Sequence, residues 1–110
     1  MLRFKRLGFL GVMVFLFGCS GLNDEELAGL SPQAAGRKVF EAKCMKCHTI
    51  AGKGGTRGPN LSNAGGRIDL ETLQKFITNP QSVKPNSAMR KIRLSEKQIE
   101  WVAGYIAELK

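Results

Sequence analysis

The chain of 110 residues is poor in side chains that bind metals or act as nucleophiles. It contains one histidine and three cysteines, and it has a single tryptophan and a single tyrosine. One histidine cannot serve both as a catalytic base and as a separate metal ligand. Three cysteines cannot form two disulfides or a four-cysteine zinc site. With 43% hydrophobic residues, the chain can still bury the core of one domain.

A long apolar run is also missing. Residues 7–17 carry no charge, but a membrane-spanning helix needs about 20 apolar residues. The run follows a start with three basic residues and no acid, which is typical of a signal peptide. Its end, Leu16-Phe17-Gly18-Cys19, resembles the lipobox of bacterial lipoproteins.

The lipobox resemblance predicts that residues 1–18 are a cleaved signal peptide and that Cys19 carries the lipid. The protein would then be exported and held on a bacterial membrane, on the periplasmic or outer-surface side. An ordinary signal peptide and a short uncleaved anchor remain as alternatives. Residues 19–31 are then predicted to be a tether with little periodicity, and residues 32–110 the folded domain.

Three helices are predicted inside this domain. Ser31 and Pro32 begin the first, which runs to about Lys43. Asp69 caps a second helix over residues 70–78, and Pro80 ends it. The last helix begins at a capping box formed by Ser95 and Gln98. Residues 52–66 and 81–93 are predicted loops, and no segment alternates with a period of two, so the fold class is predicted to be all-α.

The chemistry is concentrated at residues 44–48, Cys44-Met45-Lys46-Cys47-His48. This C-x-x-C-H pattern is the attachment signature of c-type haem. Two cysteines three apart at a helix end lie on about the same side, so both sulfurs can form thioethers with one porphyrin. The next residue, His48, can bind the iron. The pattern therefore predicts one covalently bound haem c.

Other functions of this motif fit less well. A structural zinc site needs a fourth ligand, and Cys19 is far off in sequence. A thioredoxin-like redox pair needs a βαβ setting, which is not indicated. A disulfide across two intervening residues would constrain little chain.

The sixth position of a haem iron needs a further ligand, or it stays open. Met1 and Met13 leave with the predicted signal peptide, and Met45 lies between the attachment cysteines. Met89, in the second loop, is therefore the predicted ligand, and a thioether favours ferrous iron and raises the potential. The alternatives are that Met89 only packs in its loop, or that the site is open.

With these residues in place, the chain resembles the class I monohaem cytochromes c over residues 33–110. Besides the C-x-x-C-H motif, the resemblance rests on Gly58-Pro59-Asn60-Leu61, on Met89, and on Gly36, Phe40 and Tyr105. It implies three to four helices around one haem, with the first and last crossing at Gly36, Phe40 and Tyr105. It also implies that the carbonyl of Pro59 orients His48. The ligand methionine of that family is often followed by proline, but here Arg90 follows it.

The predicted function is that of a membrane-anchored one-electron carrier between redox proteins, not an enzyme. A haem enzyme or small-ligand sensor with a displaceable Met89 is the alternative. The net charge of +8 suggests nucleic-acid binding as a third function, but the predicted export and the lack of aromatic residues among the basic ones argue against it. Basic residues around the haem edge could instead steer acidic partners, or be only a solvated surface. They are Lys43, Lys46, Lys53, Arg57, Lys84, Arg90, Lys91 and Arg93.

Overall fold

The computed structural model describes residues 22–110. The predicted signal peptide and Cys19 lie outside the described residues. In chain order, the described part contains α1 (Asp24–Ala28), α2 (Pro32–Lys43), β1 (Thr49–Ile50), β2 (Lys53–Gly54), a 3-10 turn (Ala64–Gly66), α3 (Leu70–Thr78), α4 (Pro80–Val83) and α5 (Glu96–Ala107). The all-α prediction is confirmed, since β1 and β2 form only a two-residue antiparallel hairpin. None of the helices in residues 22–110 is long and apolar enough to cross a membrane.

Helix α2 begins and ends where its sequence predicts. Ser31 Oγ accepts a hydrogen bond from the Ala34 N–H at 3.2 Å, and Pro32 occupies the first turn, where it loses no hydrogen bond. The helix buries Val39 and Phe40 almost completely. Ala42, near the end of the helix, is exposed. The end of α2 delivers the chain directly into the C-x-x-C-H motif.

The crossing of α2 and α5 forms the centre of the core. A Cβ placed on Gly36 would lie 2.6 Å from Tyr105 Cβ and closer still to the Trp101 carbonyl, so only glycine fits. The rings of Phe40 and Tyr105 pack tilted, with centroids 6.2 Å apart. The helix crossing that the resemblance implied is therefore present. Trp101, the single tryptophan of the chain, is half-buried and packs against this core.

Helix α5 starts with the predicted capping box. Ser95 Oγ accepts from the Gln98 N–H at 3.2 Å, and Gln98 Oε1 accepts from the Ser95 N–H at 3.1 Å. The remaining amide group of Gln98 donates to Asp24 Oδ1 at 2.7 Å. One buried side chain therefore both caps α5 and holds α1.

The prediction of an irregular tether is wrong for residues 24–28, which form α1. Asn23 caps this helix, and Leu27 is only 3% exposed because it joins the core. The helix could not be predicted because five residues show too little of the 3.6-residue period. The N-terminal segment is thus docked on the domain from Asn23 onward.

Helix α3 covers the predicted residues, and Asp69 Oδ1 accepts from the Thr72 N–H at 2.7 Å. This hydrogen bond lowers the pKa of Asp69 below its ordinary value. Leu73 and Ile77 are buried, whereas Leu70 is exposed. The second predicted loop starts later than expected, because Pro80 begins α4 instead of leading into irregular chain.

Candidate functional site

The end of α2 shapes the C-x-x-C-H segment. The N–H groups of Cys44 and Met45 both donate to the Phe40 carbonyl, at 2.8 and 3.0 Å. The N–H groups of Cys47 and His48 then donate to the Cys44 carbonyl, at 3.2 and 3.0 Å. This tightly wound turn brings both cysteines and His48 together at the helix end, as the spacing predicted.

His48 is held in a defined orientation. Its side chain is buried, and Nδ1 lies 2.9 Å from the Pro59 carbonyl oxygen. A carbonyl oxygen can only accept, so Nδ1 carries a proton, and in the neutral imidazole the lone pair is then on Nε2. A histidine whose free nitrogen is fixed in this way is prepared to bind a metal ion.

Glycine is required where the loop passes the imidazole. A Cβ on Gly58 would lie 2.7 Å from His48 Nδ1 and 3.0 Å from Nε2, well inside contact distance. Gly54 has φ +126°, and a Cβ there would lie 3.1 Å from the Met45 carbonyl oxygen. The glycines of the predicted loop therefore let it run directly against the C-x-x-C-H turn.

Backbone hydrogen bonds fasten this loop to the motif. The Gly55 N–H donates to the Met45 carbonyl at 2.8 Å, and the Gly58 N–H donates to the Cys47 carbonyl at 2.7 Å. Thr49 Oγ1 adds a bond to the Gly55 carbonyl at 2.8 Å. The loop that the sequence marked only as irregular is thus a strap that fixes the position of Pro59 relative to His48.

The two cysteines differ in their surroundings. Cys44 is buried, Cys47 is half-buried, and neither is in a disulfide. Burial, with the neighbouring Cys47 as a smaller cause, raises the pKa of the Cys44 thiol to about 11. Within residues 22–110, no group of three His, Cys, Asp or Glu side chains could hold a metal ion.

Met89 lies in the loop that follows α4. It is half-buried. Its N–H donates to Ser87 Oγ at 3.2 Å, and its carbonyl accepts from Gln81 Nε2 at 2.9 Å. No hydrogen bond among the described residues joins this loop to the C-x-x-C-H segment. Met89 stays the predicted ligand, and hydrogen bonds from Gln81 and to Ser87 hold its backbone.

The basic residues near these two segments carry no ion pair in the part of the chain that the structure describes. The ion pairs found there join Arg37 to Glu41, Lys75 to Glu71, and Lys97 to Glu100. None involves the eight basic residues predicted to surround the haem edge. Residues 42–68 and 76–95 contain no acidic residue at all, so both segments present positive charge with no ion pair among the described residues.

The residues at the helix end fit a covalently attached haem. Two thiols outside any disulfide, an imidazole with its free Nε2, and glycines that leave no space for side chains behind that imidazole form a coherent donor set. The sequence predicted site roles for Cys44, Cys47, His48 and Pro59, and those roles stay predictions. It gave no signal for the contacts of Gln81 with the Met89 loop or for the docking of α1 by Gln98.

Comparison with known proteins identifies the family. The sequence-family model described as cytochrome c matches residues 33–110 of the chain. The chain is 36% identical to cytochrome c6 of Rippkaea orientalis, over 93% of this chain and 91% of that protein. It is 32% identical to a cytochrome c6-like protein of Nostoc, over 88% and 86% of the two chains.

A further match is 34% identical to cytochrome c oxidase subunit 2 of Alkalihalophilus pseudofirmus, but it covers 84% of this chain and only 30% of that subunit. No solved structure gives a significant match. The family match covers nearly all of the described domain, and the donor set at the end of α2 agrees with it. The chain belongs to the cytochrome c family and is an electron carrier with one covalently bound haem c, not an enzyme.

Proposed function

We propose that Cys44 and Cys47 form the thioethers to the haem, that His48 Nε2 and the sulfur of Met89 are the axial ligands, and that the protein passes electrons between redox proteins at a membrane. The observation that supports this most strongly is the hydrogen bond from His48 Nδ1 to the Pro59 carbonyl. It leaves the one nitrogen that an iron ligand needs, on the residue that directly follows the attachment cysteines.

The chain's contribution is to hold these groups still. The Pro59 carbonyl keeps a proton on Nδ1 and helps to fix the ring plane, and the absence of a side chain at Gly58 leaves the imidazole its place. When bound, the haem supplies a one-electron change between ferric and ferrous iron. A rigid ligand on one side limits the rearrangement that accompanies each electron, which is what a carrier requires.

Met89 completes the proposal by elimination. Among the described residues the other methionine is Met45, between the two attachment cysteines. A neutral thioether favours ferrous iron more than a second imidazole would, so Met89 sets a higher potential. If Met89 is only loop packing, the sixth position is open and the protein can bind small ligands.

Absorption and carbon monoxide binding test this proposal. The oxidised protein should show the weak red-end charge-transfer band of a methionine-ligated haem, and the reduced protein should not bind carbon monoxide. Met89→Ala should lose the band and bind carbon monoxide. Met45→Ala, the matched control, should keep the band. Ready carbon monoxide binding by the unaltered reduced protein would favour the sensor or enzyme alternative.

The proposal includes attachment to a bacterial membrane by lipid on Cys19. Because α1 docks from Asn23 onward, only residues 20–22 separate Cys19 from the folded domain. Three residues span about 10 Å when extended, so the lipid would hold the domain close to the membrane surface. Membrane fractionation tests this: Cys19→Ser should appear in the soluble fraction, and the unaltered protein should require detergent. Release of both without detergent would refute the lipid anchor.

The proposed partners carry acidic docking surfaces. The support is the positive charge of residues 42–68 and 76–95, which contain no acidic residue and would steer encounter with negative partners. Electron transfer to a membrane fraction from the source organism should slow as ionic strength rises. Lys84→Glu should slow it at low salt more than Lys97→Glu, since Lys97 is near Glu100 on α5. A rate that does not depend on salt would remove electrostatic steering.

A further inference from the structure

The side-chain amide of Gln81 bridges two turns of the loop that carries Met89. Nε2 donates to the Ser87 carbonyl at 3.1 Å and to the Met89 carbonyl at 2.9 Å. Both hydrogens of one amide group are thus used on two carbonyls that lie two residues apart. No proline follows Met89 to stiffen this loop, because the next residue is Arg90.

Gln81 itself is joined to the core through its own short helix. It follows Pro80, which is almost completely buried at the start of α4. The Asn79 N–H donates to the Lys75 carbonyl at 2.9 Å at the end of α3, and Ser82 Oγ donates to the Asn79 carbonyl at 2.7 Å. The amide therefore connects a fixed element to a loop with few other constraints.

Among the described residues, Ser87 is the other side chain that bonds to the backbone at the methionine. Ser87 Oγ accepts from the Met89 N–H at 3.2 Å, and the Ser87 N–H closes a turn on the Lys84 carbonyl at 2.9 Å. The turn starts directly after α4 and folds the loop on itself. Of the side-chain hydrogen bonds in residues 22–110, those from Gln81 tie residues 87 and 89 back to α4.

We propose that Gln81 is a positioning residue that holds the Met89 loop, and with it the Met89 sulfur, in the place where it can bind the iron. This inference rests on the proposed function, since it takes Met89 as the axial ligand. Gln81 touches neither the haem iron nor the sulfur, and it acts through the loop backbone.

Imidazole binding to the oxidised holoprotein tests the proposal, because imidazole competes with Met89 for the iron. Gln81→Ala removes both hydrogen bonds, and Gln81→Glu keeps the size but places a carboxylate that cannot donate against two carbonyls. Each should raise the apparent imidazole affinity about 5- to 30-fold. The red-end charge-transfer band should weaken in both variants. Gln33→Glu, at an exposed position of α2 and without a side-chain hydrogen bond among the described residues, is the matched control and should bind imidazole as the unaltered protein does.

A purely structural role of Gln81 would shift the unfolding midpoint without changing imidazole affinity in the native state. Imidazole affinities of both Gln81 variants within twofold of the control would overturn the positioning role. The Met89→Ala protein separates this failure from that of the proposed function. If Met89→Ala already matches the unaltered protein in imidazole affinity and absorption, Met89 is not the ligand, and the proposal for Gln81 falls with it.

Discussion

The two segments that supply the predicted axial ligands are held in different ways. We call residues 44–61 the His48 segment and residues 79–94 the Met89 segment. In the His48 segment, main-chain hydrogen bonds such as Gly58 to Cys47 and Leu61 to Thr49 join parts of the chain about ten residues apart. In the Met89 segment, the bonds at the methionine come from Gln81 and Ser87, both exposed or half-exposed side chains.

This difference separates two tasks in one small domain. In the His48 segment a Cβ on Gly58 would overlap the imidazole, so a larger side chain there should displace the residue that follows the attachment cysteines. The Met89 segment relies on exposed hydrogen bonds worth about 1 kcal/mol each. Changes there should alter the sixth ligand and the potential while the haem stays attached.

Gly58→Ala should have the largest effect on stability. The added Cβ overlaps the His48 ring, and a crowded, strapped loop cannot move away, so the free energy of unfolding should fall by about 3 kcal/mol. Chemical denaturation of the holoprotein measures this. Gly66→Ala is the control, because its Cβ would meet nothing within 4 Å. Equal stability of the two variants would show that the His48 segment is not tightly packed.

Met89→His should change the haem without releasing it. A second imidazole favours ferrous iron less than a thioether does, so the reduction potential should fall and the red-end charge-transfer band should vanish. Voltammetry and absorption measure both. The covalent haem should stay at one per chain, because the His48 segment is untouched. Loss of covalent haem in this variant would contradict the separation of the two segments.

Ala51→Asn should stabilise the His48 segment slightly. Ala51 and Gly52 form the turn between β1 and β2 with φ of +51° and +79°, a conformation that asparagine tolerates better than alanine. The free energy of unfolding should rise by about 1 kcal/mol. Ala51→Val should lower it, since a β-branched residue fits this region least. The opposite order in thermal unfolding would mean that the turn is not strained.

Asp69→Asn should have the smallest effect, and only through pH. The hydrogen bond from the Thr72 N–H lowers the pKa of Asp69 below its ordinary value of 3.8. At a pH above 3.8 the charged carboxylate therefore stabilises the folded state. As the pH falls through the lowered native pKa, this advantage over the asparagine variant should disappear. Unfolding of both proteins between pH 3 and pH 6 checks this. A difference that grows toward acid would have the wrong sign.

Much of the fold could be predicted because recognisable capping residues mark where three of its helices begin. Ser31, Asp69 and Ser95 each cap a helix that begins at the expected residue, and these signals lie within a few neighbouring positions. The fold class is confirmed for the same reason. The C-x-x-C-H motif likewise works over five residues, so its local geometry follows from sequence.

The features that could not be predicted depend on residues far apart or on elements too short to show a period. Asp24 and Gln98 meet across 74 positions, and α1 has five residues. Gln81 reaches Met89 only because α4 interrupts a segment that had been predicted to be a loop. Glycine clusters predict irregular chain but not that the chain becomes a strap along His48. The roles of Met89, Pro59 and Cys19 remain predictions.

Mass spectrometry of the intact protein tests the central claim most directly. The protein is to be produced in a bacterium able to attach c-type haem, next to a Cys44→Ala, Cys47→Ala double variant. If haem is attached through Cys44 and Cys47, we expect the unaltered chain to carry the added mass of one haem under denaturing conditions and the double variant to carry none. An unaltered chain without haem, with both thiols free to react with a labelling reagent, would contradict it.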